Sequence, residues 1–221
     1  ATRNKSFVGY AVDGDASGTV NQYSNHINTT EFYISWIGGE NTVNAEGTYN
    51  VHDETFTVQG PLYIGYNAGD GSSSQVAHGD LNMLGGSLST DGIVLSSDNT
   101  GYTTGRMYVK GTNPSSIETD GDWTQNDGTL ELGLDGSGST TIEVQDDVQF
   151  TAGATLDLSF LDGVDPVYGQ EWTVMSWGRD LLDGSGNELF GSETELTMTD
   201  VPLSFASSVN PLDWEGKFKD T

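Results

Sequence analysis

The sequence contains no cysteine and only 7 Lys+Arg among its 221 residues, against 33 Asp+Glu. The absence of cysteine excludes disulfide scaffolds, thiolate zinc sites and cysteine nucleophiles. The scarcity of basic residues leaves a formal net charge of −26. No nucleic-acid partner is expected, because sequence-independent binding needs Lys and Arg to neutralise phosphates. Anionic membrane surfaces are disfavoured for the same reason. No apolar stretch approaches the roughly 18 residues of a membrane helix, so no membrane insertion is expected. Helical periodicity is nearly absent, since Gly, Asn, Asp and Ser interrupt the chain every few residues. Only Arg179 to Leu189 has some helical or loop character.

Apolar residues are few, at 34%, yet disorder does not fit. Charged residues make up only 18% of the chain and aromatic residues 10%, with five Trp, whereas acidic disordered chains are poor in aromatics. The apolar residues fall into short β-rich runs such as Phe32-Tyr33-Ile34, Leu62-Tyr63-Ile64 and Ile93-Val94-Leu95. These runs are organised by a repeat. Gly18-Thr19-Val20-Asn21 recurs as Gly47-Thr48-Tyr49-Asn50 and Gly79-Asp80-Leu81-Asn82, then more loosely as Gly105-Arg106-Met107-Tyr108 and Gly128-Thr129-Leu130-Glu131. The intervals are 29, 32, 26 and 23 residues. Each unit carries three strand signals separated by turns, as in Thr48 to Val51, Thr55 to Val58, a Gly60-Pro61 turn, and Leu62 to Ile64.

Three short strands per unit is the plan of a β-solenoid coil, which buries its inner face only by stacking on neighbours. The expected fold is therefore all-β: a short right-handed parallel β-solenoid (β-helix) with a C-terminal β cap. The alternative is an antiparallel β-sandwich or jelly roll, which also has many short strands. Stacking predicts one ladder of Val20, Tyr49, Leu81, Met107 and Leu130, and a second of Ile27, Phe56, Leu88, Ile117 and Ile142. Four segments follow: an N-terminal strand or cap at 1–17, solenoid repeats at 18–153, a cap at 154–200 where aromatics become heavier, and a tail at 201–221.

Gly47-Thr-Tyr-Asn-Val, Leu62-Tyr-Ile-Gly-Tyr-Asn-Ala-Gly69 and Gly85-Gly-Ser-Leu-Ser-Thr-Asp-Gly92 resemble the repeats of bacterial autotransporter-passenger and PEP-CTERM-type surface β-helix proteins. Gly153-Ala-Thr-Leu-Asp-Leu, with Tyr168-Gly169-Gln170 and Trp177-Gly178, resembles their closing segment. The resemblance covers roughly residues 18–178 and implies a fold and a cell-surface setting, not an activity. The chain departs from the family in having neither a C-terminal membrane barrel nor a Pro-Glu-Pro signal. It opens at Ala1 without Met, as expected of a processed or trimmed form.

Several residue groups are candidates for a site. Asp13, Asp15 and Ser17 match the first half of an EF-hand-like calcium loop, with Gly18 at the sixth position, but the twelfth is Ser24 rather than a carboxylate. No cofactor is required, and calcium is the candidate ion. His26, His52 and His78 are evenly spaced, but their offsets from the unit glycines are 8, 5 and −1, so a stacked metal ladder is not expected. Asp146-Asp147 is a candidate acid pair for a polysaccharide-active enzyme, but adjacent strand residues point to opposite faces. Spacing places no acid beside Arg106 or Lys110, and the chain is not expected to be an enzyme. Tyr10, Tyr23, Tyr33, Trp36, Tyr63, Tyr66 and Tyr102 are candidate stacking platforms for carbohydrate. Asn4 and Asn28 open N-glycosylation sequons.

Self-assembly is the remaining candidate, because a solenoid's ends are unpaired edges. The strand Ser6 to Val12, with Phe7, Val8 and Tyr10, lies at one end. Trp214, Lys217 and Lys219 form a basic, aromatic tail at the other. The expected function is that of a secreted, extracellular structural protein, a subunit of a self-assembling bacterial surface fibre or layer with copies of itself as head-to-tail partners. The alternative is an adhesin or glycan-binding surface module, with a polysaccharide-active enzyme third.

Overall fold

The computed structural model describes residues 5–28, 30–38, 43–68, 75–97, 103–110, 116–134, 142–161, 163–164, 171–183, 185–190, 194–201 and 214–220, with backbone alone at 152, 171–173, 188–190, 194–201 and 214–220. The described residues form 18 strands and no helix. The strands stack in parallel as a β-solenoid of about 5 turns. The coil has three faces.

Face A contains β2 (Ala16–Gln22), β5 (Asn44–Val51), β7 (Val76–Met83), β9 (Thr103–Lys110) and the C-terminal parts of β11 (Trp123–Leu134) and β13 (Val148–Phe160). Face B stacks β3 (His26–Asn28), the start of β6 (Thr55–Asn67), the start of β8 (Ser87–Leu95), β10 (Ile117–Thr119), β12 (Ile142–Val144) and β14 (Glu171–Trp177). Face C stacks β1 (Lys5–Ala11), β4 (Glu31–Ile37), the ends of β6 and β8, the starts of β11 and β13, and β15 (Leu181–Leu182).

The glycine frame is the register of face A. Gly18 pairs with Gly47, Gly47 with Gly79, Gly79 with Gly105, Gly105 with Gly128 and Gly128 with Ala154. The first ladder follows, from Val20 through Tyr49, Leu81, Met107 and Leu130 to Leu156. Its inner members are at most 1% exposed, while Val20 and Leu156 at its two ends are each 37% exposed. The second ladder differs from expectation at its first member. His26, not Ile27, pairs with Phe56, and Ile27 is 65% exposed. A one-residue change of phase turns a strand residue to the opposite face, and the three residues of β3 carry no glycine to fix that phase.

A steric pinch explains the glycines. At the end of face C the backbone turns left-handed at Gly9, Ser35, Gly65 and Ser96, with φ between 62° and 75°. This corner lies directly against face A. A Cβ at Gly47 would sit 2.3 Å from the Val8 carbonyl oxygen, one at Gly79 2.3 Å from that of Ile34, and one at Gly105 2.4 Å from that of Ile64. Two backbones therefore touch with no side chain between them. Ser35 Oγ donates to the Ala45 carbonyl and Ser96 Oγ to that of Thr103, both at 2.8 Å, clamping the corner to face A. The pinch divides the interior into a main core and a small satellite core of Ala11, Ile37, Val43, Ala45 and Ala77.

Gly60-Pro61 is a corner inside the continuous β6 rather than a turn between strands, with the ladder to β8 shifting register between Val58 and Pro61. Proline lacks the N–H a ladder would need, so it sits where pairing is interrupted. The expected boundary at residue 153 falls inside β13, which continues the frame through Phe160. Beyond it the pairing changes sense. β16 (Glu188–Phe190) runs antiparallel to β15, β17 (Thr194–Val201) antiparallel to β14, and β18 (Trp214–Asp220) antiparallel to β17. The segment 179–189, expected as helix or loop, is the β15–β16 hairpin. Asp183 caps its turn by accepting the backbone N–H groups of Ser185 and Asn187.

Candidate functional site

The first rung consists of β1, β2 and β3. Among the described residues each pairs with the next rung on one side only. Its strands carry no Asp or Glu, and Lys5 is their one fixed charge. Every later rung has at least one strand carboxylate, beginning with Glu31 and Glu46 and then Asp80. Tyr10, Val20, Tyr23 and Ile27 are 48%, 37%, 66% and 65% exposed on or beside these strands. Ser6 Oγ donates to Asn28 Oδ1 at 2.7 Å and ties β1 to β3.

Of the residues expected to serve assembly, Val8 is 5% exposed and belongs to the main core. Phe7 and Tyr10 begin an outward aromatic cluster on face C. Phe7 stacks on Tyr33 at 5.3 Å, Tyr33 on Tyr63 at 4.6 Å, and Tyr10 on Trp36 at 4.7 Å. Tyr66 meets Tyr33 and Tyr63 edge-on. The structure thus brings together Tyr10, Tyr33, Trp36, Tyr63 and Tyr66, adds Phe7, and leaves Tyr23 elsewhere, stacked on His52 at 4.3 Å. Tyr102 lies outside the described residues. The ring faces inside this cluster are largely spent on one another. Tyr33 is buried and its hydroxyl donates to Glu31 Oε2 at 2.7 Å; burial and that carboxylate together hold its pKa far above the usual tyrosine value.

At the other end, Trp214, Lys217 and Lys219 lie in β18, opposite Val201, Thr197 and Glu195 of β17. The basic segment expected as a tail is therefore a strand of the antiparallel cap.

A second feature runs along the outside of face A. Asn50 Nδ2 donates to Asn21 Oδ1, and Asn82 Nδ2 to Asn50 Oδ1, both at 2.8 Å. Arg106 Nη1 donates to Asn82 Oδ1 at 3.1 Å, while its Nη2 reaches Glu131 Oε2 at 2.6 Å. Arg106 is also within 4.0 Å of Asp80. Spacing along the chain places no acid beside Arg106. Parallel stacking supplies two, and Asp80 is legible in the repeat because Asp80 and Arg106 each follow a frame glycine. His78 lies next to this group, with Nε2 3.2 Å from Asp80 Oδ2 and Nδ1 2.6 Å from Thr104 Oγ1. The bond to Asp80 raises its pKa above the ordinary value.

The remaining candidates are dispersed. Asp15 Oδ1 accepts the Asn44 N–H at 2.7 Å, so this carboxylate closes the start of β5. Asp15 and Ser17 border a shallow surface pocket with Asn44 and Glu46, and Asp13 lies in the preceding bend. Among the described residues no group of three or more His, Asp or Glu is arranged to hold a metal. His26, His52 and His78 fall on β3, the corner after β5, and β7. Asp146 pairs with Arg179 at 2.7 Å, and Asp147 Oδ1 accepts the Asp180 N–H at 3.1 Å. Asn28 is 8% exposed and its amide donates to the Thr30 carbonyl, so little of this side chain is open to a glycan. Asn4 lies outside the described residues. Comparison with protein-family models, with curated proteins and with solved structures returns no match for this chain.

Proposed function

We propose that the chain is an extracellular structural β-solenoid of a bacterial surface assembly, and that its first rung docks on a copy of itself. One observation carries this reading: the first rung, which no strand covers on its outer side among the described residues, lacks acidic strand residues on a molecule of net charge −26 and leaves Tyr10, Val20, Tyr23 and Ile27 exposed. Open edges in natural proteins are normally blunted by charge or covered. In this reading the chain is secreted, is not an enzyme and requires no cofactor; calcium enters through Asp13, Asp15 and Ser17 or through screening alone. Electron microscopy and sedimentation of purified protein test it. Concentration-dependent particles that disappear on deletion of residues 1–12 are expected. Strictly monomeric protein at high concentration, with and without calcium, would overturn it.

The aromatic cluster on face C supports a second reading, a glycan-binding module. Binding on a glycan array that is lost in Tyr10→Ala and Tyr66→Ala would favour it.

A further inference from the structure

We propose that the first rung docks on the first rung of a second copy about a two-fold axis through Val20, so that the contact closes as a head-to-head dimer. This rests on the reading above and specifies the partner surface, symmetry and register of that contact.

The partner surface follows from which edges are open. Among the described residues β1, β2 and β3 each pair on one side only. At the opposite end β17 pairs with β14, and β15 pairs with both β13 and β16. A copy arriving there in frame would meet strands on faces B and C. The first rung is open on all three faces, and the surface that matches it on all three is the same rung of another copy.

The symmetry follows from the shape of a coil end. The first rung enters at Lys5 and leaves at Asn28, both at the corner between faces B and C. Its end is a helical ramp with one step of about 4.8 Å at that corner. A half-turn about a line perpendicular to the coil axis maps this ramp onto itself when the line passes through the step. The same line crosses the middle of face A opposite. β2 then pairs antiparallel with its own copy, and β1 lies antiparallel on β3 of that copy. Inward residues must meet inward residues, so the axis passes through a residue and not between two. Within β2 the main core borders the stretch from Gly18, where the pinch brings Gly9 and Val8 against it, to Gln22 before the next corner, and Val20 is the midpoint.

This register covers what the first rung leaves open. Val20 meets Val20 of the copy, and Thr19 meets Asn21, a hydroxyl beside an amide. Phe7 lies over Ile27, which is 65% exposed in the single chain, and Tyr10 reaches the corner that carries Tyr23. Asp13 and Asp15 come over the Ser24-Asn25-His26 corner of the copy, which has no acid, and not over each other. The strands in contact oppose no two carboxylates. Repulsion then comes only from the acidic bodies behind them, so salt should favour the dimer.

Sedimentation velocity of the full chain in about 0.15 M and about 1 M sodium chloride tests this. Dimers are expected, more so at high salt, with nothing larger as concentration rises, because an isologous contact closes. The chain has no cysteine, so a single introduced thiol reports on its own position. Residues facing each other in an antiparallel pair have Cα atoms about 4.5–5.5 Å apart, within disulfide reach. In glutathione buffer Val20→Cys should form disulfide dimers about tenfold faster or more than Leu156→Cys, which is equally exposed at the far end. Val20→Lys sets two ammonium groups on the axis and should weaken association about tenfold or more. Equal cross-linking of the two thiols, with association still lost in Val20→Lys, overturns the two-fold contact and leaves the first-rung reading standing. Species that grow beyond dimers and vanish in Val20→Lys do the same. Association unchanged by Val20→Lys, or monomeric wild type at both salts, overturns both. Should Val20→Lys lose its β-sheet circular dichroism, the two cysteine variants, which alter side-chain size far less, decide.

Discussion

Alanine substitution along the glycine frame gives a graded stability test of the pinch. A Cβ at Gly79 would lie 2.3 Å from the Ile34 carbonyl oxygen and 2.5 Å from the Gly65 nitrogen. Ordinary contact begins near 3.4 Å, so relief needs a backbone shift of about 1 Å against a left-handed corner that the coil above holds in place. Overpacking of this kind costs about 1–3 kcal/mol. The upper end applies because both obstacles are buried backbone rather than a side chain that can turn away. Removing glycine from a strand returns about 0.5–1 kcal/mol, leaving a net loss of about 2 kcal/mol. For a chain of this size that is a fall in Tm of about 4–8 °C. Gly18 occupies the same column at the uncovered rim, where the nearest atom is at 3.1 Å, so Gly18→Ala should be close to neutral. Gly14 has open space around it, and Gly14→Ala should be neutral or slightly stabilising. Urea unfolding followed by circular dichroism ranks the three. Gly79→Ala as stable as Gly14→Ala would refute the pinch as the reason for the repeat.

Other substitutions probe the outer surface of face A. Asn50→Ala removes the middle of the asparagine ladder, which donates to Asn21 and accepts from Asn82, and should cost about 1 kcal/mol in urea unfolding; no loss would make the ladder ornamental. Arg106 and Glu131 are 38% and 26% exposed, so a double-mutant cycle should give a coupling of only about 0.5–1 kcal/mol. His78 has a folded pKa above the ordinary 6.5, because Asp80 and Glu46 outweigh desolvation and Arg106. Its contribution to stability is therefore full below the unfolded value and is lost as pH rises through the folded one. His78→Gln should remove that pH dependence, and an unchanged stability profile would assign it to another group.

How far the amino-acid sequence reveals the fold depends on where glycine marks the phase. On face A the pinch demands glycine at one position per rung, so the repeat displays its own register and its apolar ladder follows from residue spacing alone. Where left-handed corners end at Ser96, the constraint relaxes, and Ala154 takes the last frame position. On face B nothing marks the phase, and the apolar pattern points to Ile27 where the column takes His26. The acids beside Arg106 differ in this respect. Asp80, 26 residues before it, shares its place after a frame glycine and is legible once the repeat is seen, whereas Glu131, 25 residues after it, stands at another place in its unit and becomes a neighbour only through cross-rung pairing. The asparagines are visible at the fourth position of three units, but their side-chain ladder has meaning only once those units are stacked in register.

The distribution of charge supplies the last step. A net charge of −26 on a thin coil is self-repelling, and outward strand positions are where such a coil can place carboxylates without burying them. Each rung from the second onward does so. The first rung spends those positions on Thr19, Asn21 and Ile27 instead, and keeps its nearest acids, Asp13 and Asp15, in the bend between β1 and β2. If the first rung served only as a free end, carboxylates there would cost nothing and would protect it from mispairing. Their omission is explained if another acidic copy approaches the rung, because carboxylates there would add to the like-charge repulsion between the two bodies.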